Sequence, residues 1–332
     1  MSEATGSVAT RSQWLTLAGW QRLFRDRPIV PLLGLLLILL IVRELARPGV
    51  FSADFLGVTL RAAVPLAILA GCQTLTMLTG GIDLSVGAVA SMSGFLVATL
   101  VNGQGLAVAI IVPLIAAALV GLVTGIGVGV FRVHPLIMTL GIGLVVLGLA
   151  NVWQLKMVQT GAGVPPAMRS LGSDRLFDIL PYSLALFVPL AAVILVGSRR
   201  TGYGRMLYAI GDNPIAARLS GARAWQVLVV LYIISALIAA VAGFLISGLT
   251  NVASVTLADS YVLPSVAAAV IGGTSILGGR GGYAGTIVGA LILTVLTSLL
   301  SAMGFPEAVR QVLFGAIIVV VAAAYTRVTG ET

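Results

Sequence analysis

The feature that most constrains this chain is a succession of apolar runs, each close to the roughly 20 residues that an α-helix needs to cross the hydrocarbon of a bilayer. About ten follow one another, near residues 29–46, 60–78, 84–101, 105–130, 135–154, 179–197, 225–249, 264–276, 284–302 and 309–326. Inside hydrocarbon every backbone polar group must be satisfied by the chain itself, and a helix does this without neighbours. The expected architecture is therefore all-α: a polytopic membrane bundle of about ten transmembrane helices. The eighth run is too short for a full crossing unless it begins earlier, and it ends in glycines, so the number of spans around residues 262–283 stays open. Composition excludes the soluble alternative, since only 9% of the 332 residues are charged and 59% are hydrophobic, whereas a water-facing surface takes about a quarter charged residues.

A formal charge of +8 would raise the question of nucleic acid in a soluble chain. Here the basic residues are spread through loops between apolar runs, where they orient the chain in the lipid membrane. Residues 1–28 carry Arg11, Arg22, Arg25 and Arg27 around an amphipathic run from Trp14 to Phe24, and such a segment ahead of the first span is held in the cytoplasm. The run from Ile29 to Val42 is followed by Arg43-Glu44 and not by a small-residue cleavage site, so it reads as an uncleaved first span. The remaining organisation is one transmembrane domain, 29–327, and a cytoplasmic tail, 328–332. With both termini inside, the loops 131–134, 198–224 and 277–283 face the cytoplasm, and the inside carries 12 of the 19 basic residues. The outer loop 155–178, with Gly161, Gly163, Pro165, Pro166 and Gly172, reads either as a docking ledge or plug, or as a plain connector. Cys72 is the only cysteine and His134 the only histidine, so neither a disulfide nor a metal site is expected, and no cofactor.

The stretch Thr79-Gly80-Gly81-Ile82-Asp83-Leu84-Ser85-Val86-Gly87-Ala88 interrupts the apolar pattern. Adjacent glycines free the backbone from helical constraint, and Asp83 and Ser85 can cap a helix that restarts after them. One reading is a tight turn at the membrane surface; the other is a discontinuous helix beside a transport path. Gly272-Gly273 interrupts a run in the second half in the same way. The segment Gly272 to Arg280, with Gly278-Gly279, looks at first like a phosphate loop but lacks the Lys-Ser/Thr pair that holds phosphate and magnesium, so any ATP would be handled by a partner. Gly121, Gly125 and Gly129 recur every fourth residue and so share one helix face, which lets a neighbouring helix approach closely. Gln73, Thr74, Asn151, Gln154, Ser247 and Asn251 are polar positions within spans. Hydrogen bonding between helices is one role for them, and lining a pore that meets hydroxylated cargo is the other, with Gln73, Asn151 and Asn251 the candidates. Asp83 is almost the only ionisable group deep in a span, which counts against proton or sodium coupling.

The loop 198–224 contains a short helix legible from its ends: Asp212 or Asn213 as N-cap, Pro214 at the first helical position and Gly221 just past the C-terminus. It reads as a docking knob or as a surface helix lying on the headgroups. Gly-Gly-Ile-Asp-Leu-Ser-Val-Gly, residues 80–87, resembles the signature of the permease subunits of ribose-type sugar ABC importers. Gly204-Arg205, Tyr208 to Asn213 through Gly211-Asp212, and Ala216-Ala217-Arg218-Leu-Ser-Gly221 are similar to the segment that touches the ATPase in those permeases. Ala267 to Gly281 resembles the family's C-terminal signature. The resemblance covers roughly residues 55–325, with the acidic residues that many sugar permeases carry before the third motif replaced here by Val262 and Pro264.

The resemblance implies a type II-like ABC importer permease in the inner membrane, with no covalent chemistry of its own. Its implied partners are ATP-binding cassette subunits, a periplasmic substrate-binding protein, and a second permease copy or paralogue. A small solute, a monosaccharide or related polyol, would cross by alternating access. A branched-chain amino acid or nucleoside permease is the nearest alternative, and a secondary carrier or channel working without an ATPase is the alternative from another class.

Overall fold

The structure, a computed structural model, describes residues 29–157, 163–177 and 179–329. The basic N-terminal segment 1–28, Gly161 and the last residues of the tail lie outside the described residues. Chain order is α1 Ile29–Ala46, α2 Ala53–Met77, α3 Val86–Gly129, α4 Pro135–Met157, α5 Pro166–Ser173, the strands β1 Arg175–Leu176 and β2 Leu180–Pro181, α6 Ser183–Arg200, α7 Gly202–Asp212, α8 Pro214–Leu219, α9 Ala224–Thr250, α10 Val262–Ile271, α11 Tyr283–Ala302 and α12 Glu307–Thr329. The two strands form a minimal antiparallel hairpin with Arg175 opposite Pro181. The all-α expectation holds, and seven helices (α1, α2, α3, α4, α6, α9 and α11) are long and apolar enough to cross a membrane.

One of those seven is two spans. α3 has 44 residues, with Gly105 in a non-helical conformation (φ 79°, ψ 167°). Its first half lies along α9 in parallel, Gly94 facing Gly243 and Ser247, whereas in its second half Gly121 faces Tyr232 and Ile233, Gly125 faces Val229 and Gly129 faces Trp225. The order along α9 is reversed between the halves, so the chain doubles back at Gly105. The separate runs expected at 84–101 and 105–130 are this hairpin.

The expected eighth span, 264–276, is corrected: α10 stops at Ile271 after ten residues, about 15 Å of rise, and residues 272–282 form a loop. Apolar composition continues past Ile271, but Gly272 and Gly273 end the helix, Gly273 with φ +87°. The connection into α10 is also irregular. Residues 251–261 turn back into the bundle, where the Ala258 N–H donates to Ser91 Oγ at 2.8 Å and Val255 packs with Phe95 and Ala150.

α2 and α9 are the two most buried spans and α1 the most peripheral. α9 runs between α2 and both halves of α3, and the approach to α3 is made possible by the glycine face read from the sequence. A Cβ on Gly121 would stand 2.7 Å from the Ile233 Cα, and one on Gly125 2.6 Å from the Val229 Cα. Backbone lies against backbone there, with dispersion contacts that a side chain would abolish. α1 is tied at one end through Arg43, which is buried among polar partners: its guanidinium donates to the Arg47 carbonyl at 2.7 Å and to Ser298 Oγ at 3.5 Å, over the Phe55 ring.

Substituting Gly121 by valine is therefore expected to separate α3 from α9, at about 1–3 kcal/mol for overpacking. The melting temperature of the detergent-solubilised protein should fall clearly for Gly121→Val and stay near wild type for Gly141→Val, whose surroundings are open to 4 Å.

Candidate functional site

The break after α2 is built from three elements. α2 ends at Met77; the Gly80 and Gly81 N–H groups turn back to the carbonyls of Met77 (2.9 Å) and Thr76 (3.1 Å), with Gly80 at φ +78°. Residues 82–84 then run without helical hydrogen bonds through the interior. Their polar groups are taken up by side chains from two helices. The Gln73 amide pairs both ways with the Asp83 backbone, Nε2 donating to its carbonyl at 2.8 Å and Oε1 accepting its N–H at 3.2 Å. The Thr139 hydroxyl of α4 accepts the Leu84 N–H at 3.0 Å and donates to the Ile82 carbonyl at 3.2 Å. This is the accounting that membrane-depth backbone requires.

The Asp83 side chain completes the site. Its Oδ1 accepts the Ser85 N–H (3.0 Å) and the Ser85 hydroxyl (2.6 Å), and its Oδ2 accepts the Ser235 hydroxyl of α9 (2.8 Å). Only 2% of Asp83 is exposed, and no ion pair to it occurs among the described residues. Ser235 is the twelfth of the 27 residues of α9, about 16 Å along the helix from one end and about 22 Å from the other. The carboxylate thus lies inside the bundle, level with one turn into α4, whose first residue Pro135 abuts Gly81, and its burial speaks against an exposed surface turn. Tyr232, one turn before Ser235, brings a buried hydroxyl beside Gly81, without a hydrogen-bond partner among the described residues.

The second break meets the first. The Gly279 N–H donates to the Leu78 carbonyl at 3.0 Å, and Gly278, at φ +96°, has Gly80 N and the Cα and carbonyl oxygen of Gly211 at 2.9 Å from where a Cβ would be. Gly211 lies one residue from the C-terminus of α7, with no room for a side chain between the Leu78 carbonyl and Gly279 N. Three backbones therefore touch at one point: the end of α2, the loop after α10 and the end of α7. The Tyr208 hydroxyl adds a tie from α7 to the Gly281 carbonyl at 3.0 Å; burial raises the pKa of this phenol above its ordinary value, so it remains a donor at neutral pH. Beyond the joint, Asn213 Oδ1 accepts the N–H groups of Ile215 and Ala216, each at 3.0 Å, and caps α8 with Pro214 in its first turn. α7 and α8 enclose an open groove of about 490 Å³ that includes Arg205, Asp212, Asn213, Ala216, Ala217 and Gly221.

A protein family described as branched-chain amino acid transport system / permease component matches residues 56–322. The chain belongs to this permease family. It is 35% identical over 293 residues to the ribose import permease protein of Bacillus subtilis (strain 168), covering 87% of this chain and 90% of that protein. With the fructose import permease protein of Rhizobium meliloti it shares 32% over 309 residues, 89% and 84% of the two chains. With the ribose import permease protein of Escherichia coli (strain K12) it shares 33% over 299 residues, 88% and 91%. No solved structure matches the chain. The signatures that resemble ribose-type permeases thus lie in a multi-pass membrane permease whose relatives include them.

The structure gathers the singled-out residues of this permease unevenly. Gly80, Gly211, Asp212, Gly278 and Gly279 converge on the joint; Gly81, Asp83, Ser85 and Gly87 lie along the first break, where Gly87 abuts Val262 and Ala258; Gly272 and Gly273 end α10, where Gly272 packs on α11. Gly204 is pressed against the carbonyls of Gly197 and Ser198, while Arg205 and Arg218 are exposed on the loop. Gln73 is fully buried and spends its amide on Asp83, a clamp and not a lining. Asn151 and Asn251 are exposed on α4 and at the end of α9. Sequence reasoning missed Thr139, Ser235 and Tyr232, and the tie that Tyr208 makes to the Gly281 carbonyl; only the scarcity of partners for Asp83 signalled that hydroxyls had to be found for it.

Replacing Asp83 by asparagine keeps an acceptor for Ser85, whereas leucine leaves the Ser85 and Ser235 donors unpaired in the interior, about 1–3 kcal/mol for each buried group. The Asp83→Leu permease is expected to yield little monodisperse protein on size-exclusion chromatography, and Asp83→Asn close to the wild-type amount. Equal yields of both would mean that the carboxylate does not hold the break.

Proposed function

We propose that this permease is the membrane subunit of an ATP-driven importer that passes a small polyhydroxylated solute, a monosaccharide or related polyol, into the cytoplasm. The observation that carries this reading is the joint: a loop that leaves the spans, sets its backbone at Gly211 against both breaks, and then carries a capped helix beside a groove before returning to the spans. A loop built in this way serves to receive movement from a partner, and ATP hydrolysis then belongs to separate ATP-binding subunits docked at α8. The import of ribose and fructose named for the relatives supports the solute class, and a substrate-binding protein on the far side and a second permease copy or paralogue complete the assembly. The permease's own work is translocation, not covalent chemistry.

Orientation in the cell membrane follows from the basic residues. At the α7–α8 end Arg132, Arg199, Arg200, Arg205, Arg218, Arg223 and Arg280 face a single described acid, Asp212. At the opposite end Arg61 donates to the Ser173 carbonyl, Arg169 to the Val164 carbonyl, Arg175 to Asp54 and Arg310 pairs with Glu307. Arg43, Arg47 and Lys156 also lie at the opposite end, so what supports placing the α7–α8 end and both termini in the cytoplasm is the addition of Arg11, Arg22, Arg25, Arg27 and Arg327, which brings that side to 12 of the 19 basic residues.

In the mechanism we infer, ATP-driven closure of the partner subunits displaces α8, α7 follows as one body through the Asn213 cap, and the Gly211 contact moves Leu78 and the Gly278–Gly279 loop together. The breaks give way where helical hydrogen bonding is already absent, while the glycine seam between α3 and α9 stays closed. The family description also names branched-chain amino acids, and uptake of leucine in place of ribose by the assembled importer would favour that solute.

Two measurements test this. In a Cys72→Ser background, Leu219→Cys, 86% exposed on the loop, should react with a membrane-impermeant thiol reagent only after permeabilisation, and Phe177→Cys, 81% exposed at the other end, in intact cells; the reverse pattern overturns the orientation. Ala217→Glu and Gly221→Val, the second placing a β-branched residue at φ +86°, should leave insertion intact and lower both copurification of the ATP-binding subunit and transport by on the order of tenfold. Normal copurification and transport in both variants would make α8 a surface helix only.

A further inference from the structure

The re-entrant segment between α9 and α10 places polar side chains where lipid could not receive them. Ala258 is anchored on Ser91, which lies about 20 Å along its helix from the reversal at Gly105, and Val262 packs on Gly87, four residues beyond Asp83. At that depth Thr256, Asp259 and Ser260 are nevertheless exposed on the protomer surface. The Asp259 carboxylate and the Ser260 hydroxyl take part in no hydrogen bond or ion pair among the described residues. Next to them, Val255 and Ala253 share a cluster with Ala150 and Trp153 of α4, whose sequence neighbours Asn151 and Gln154 are exposed, Asn151 donating Nδ2 to the Leu147 carbonyl at 3.0 Å. The backbone is irregular over residues 251–258 and enters a short 3-10 helix, Asp259–Tyr261, ahead of α10; irregular backbone and a free carboxylate at membrane depth are tolerated only against protein or water. An unpartnered carboxylate beside hydroxyls and amides is a set of hydrogen-bonding groups for a neutral, hydroxyl-rich molecule, because the anion accepts from two hydroxyls at once and the amides can donate and accept.

We propose that Asp259, with Ser260 and Thr256, forms a solute-contacting station on the translocation path, at which the carboxylate accepts hydroxyl hydrogens of the passing polyol. This rests on the reading that the permease conducts a hydroxylated solute. It also assigns a function to the irregularity of the segment: continuing α9 as a straight helix would carry these side chains out of the bundle instead of back to the level of Gly87.

The test uses the assembled importer, permease with its ATP-binding subunits and binding protein, in a Cys72→Ser background. Asp259→Cys and Ser260→Cys should react with a charged, membrane-impermeant methanethiosulfonate reagent at least tenfold faster than Val193→Cys on the exposed apolar face of α6; rates equal to that of Val193→Cys would overturn the aqueous path at this segment. For the solute contact, Asp259→Asn and Asp259→Leu should lower the maximal uptake rate of radiolabelled ribose or fructose at saturating binding protein about tenfold or more, with ATP hydrolysis unchanged and Asp259→Glu restoring most of the uptake. Unchanged uptake by Asp259→Leu would overturn the station. If the wild-type assembly takes up neither sugar, the solute reading has failed, and the modification rates still decide whether the segment faces water.

Discussion

The structure depends on how one short stretch of non-helical backbone is kept hydrogen-bonded inside an apolar bundle. Residues 82–84 cannot bond to their own helix and cannot reach water, and the arrangement exists because Gln73, Thr139, Ser85 and Ser235 each supply a polar group at the right place. These donors and acceptors come from α2, α4 and α9, so the break is also what fixes those helices relative to one another. Asp83 is the centre of that network: its backbone is paired with α2, and its side chain with α9. An unmade hydrogen bond in such surroundings is more damaging than a made one is stabilising, and every backbone and side-chain polar group of Asp83 is paired.

From this centre the bundle divides into a rigid part and a part that can move. Glycines bring α3 and α9 into backbone contact over several turns, leaving no slack for sliding without loss of dispersion contacts. The other end of the break is different. Leu78, Gly211 and Gly278–Gly279 meet through one backbone hydrogen bond and the close approach of bare main chain, an articulation with few side chains to repack. α7 and α8 extend it towards the surface, and Tyr208 keeps α7 attached to the second break. The proposed transmission of movement from this peripheral loop to the interior would run through this joint, with Tyr203 also tying α7 to the Val227 carbonyl of α9 at 3.0 Å.

Much of this architecture was legible in the sequence because it is written in local patterns. The apolar runs mark the spans, including the two halves of α3; the fourfold glycine spacing marks the face turned to α9; and Asp212 or Asn213, Pro214 and Gly221 mark α8, with the structure choosing Asn213 as the cap. What could not be read depends on residues far apart in the chain. Gln73 looks like any polar residue in a span until the extended backbone ten residues later is placed beside it. The Asp83–Ser235 bond spans 152 residues and the Tyr208–Gly281 bond 73, and neither leaves a periodic trace. The truncation of α10 was obscured because the residues after Ile271 remain mostly apolar or small, and the return of 251–261 into the bundle because its composition is that of a surface loop.

In the proposed mechanism this permease moves solute only when a partner drives its loop. The most direct measurement is accumulation of radiolabelled ribose in proteoliposomes that contain the permease alone, or the permease with its ATP-binding subunits, with binding protein supplied on the face opposite α8. Accumulation that requires the ATP-binding subunits, binding protein and ATP together is the predicted result. Equal uptake by the permease alone would contradict it and make the chain a carrier or channel that needs no coupling loop.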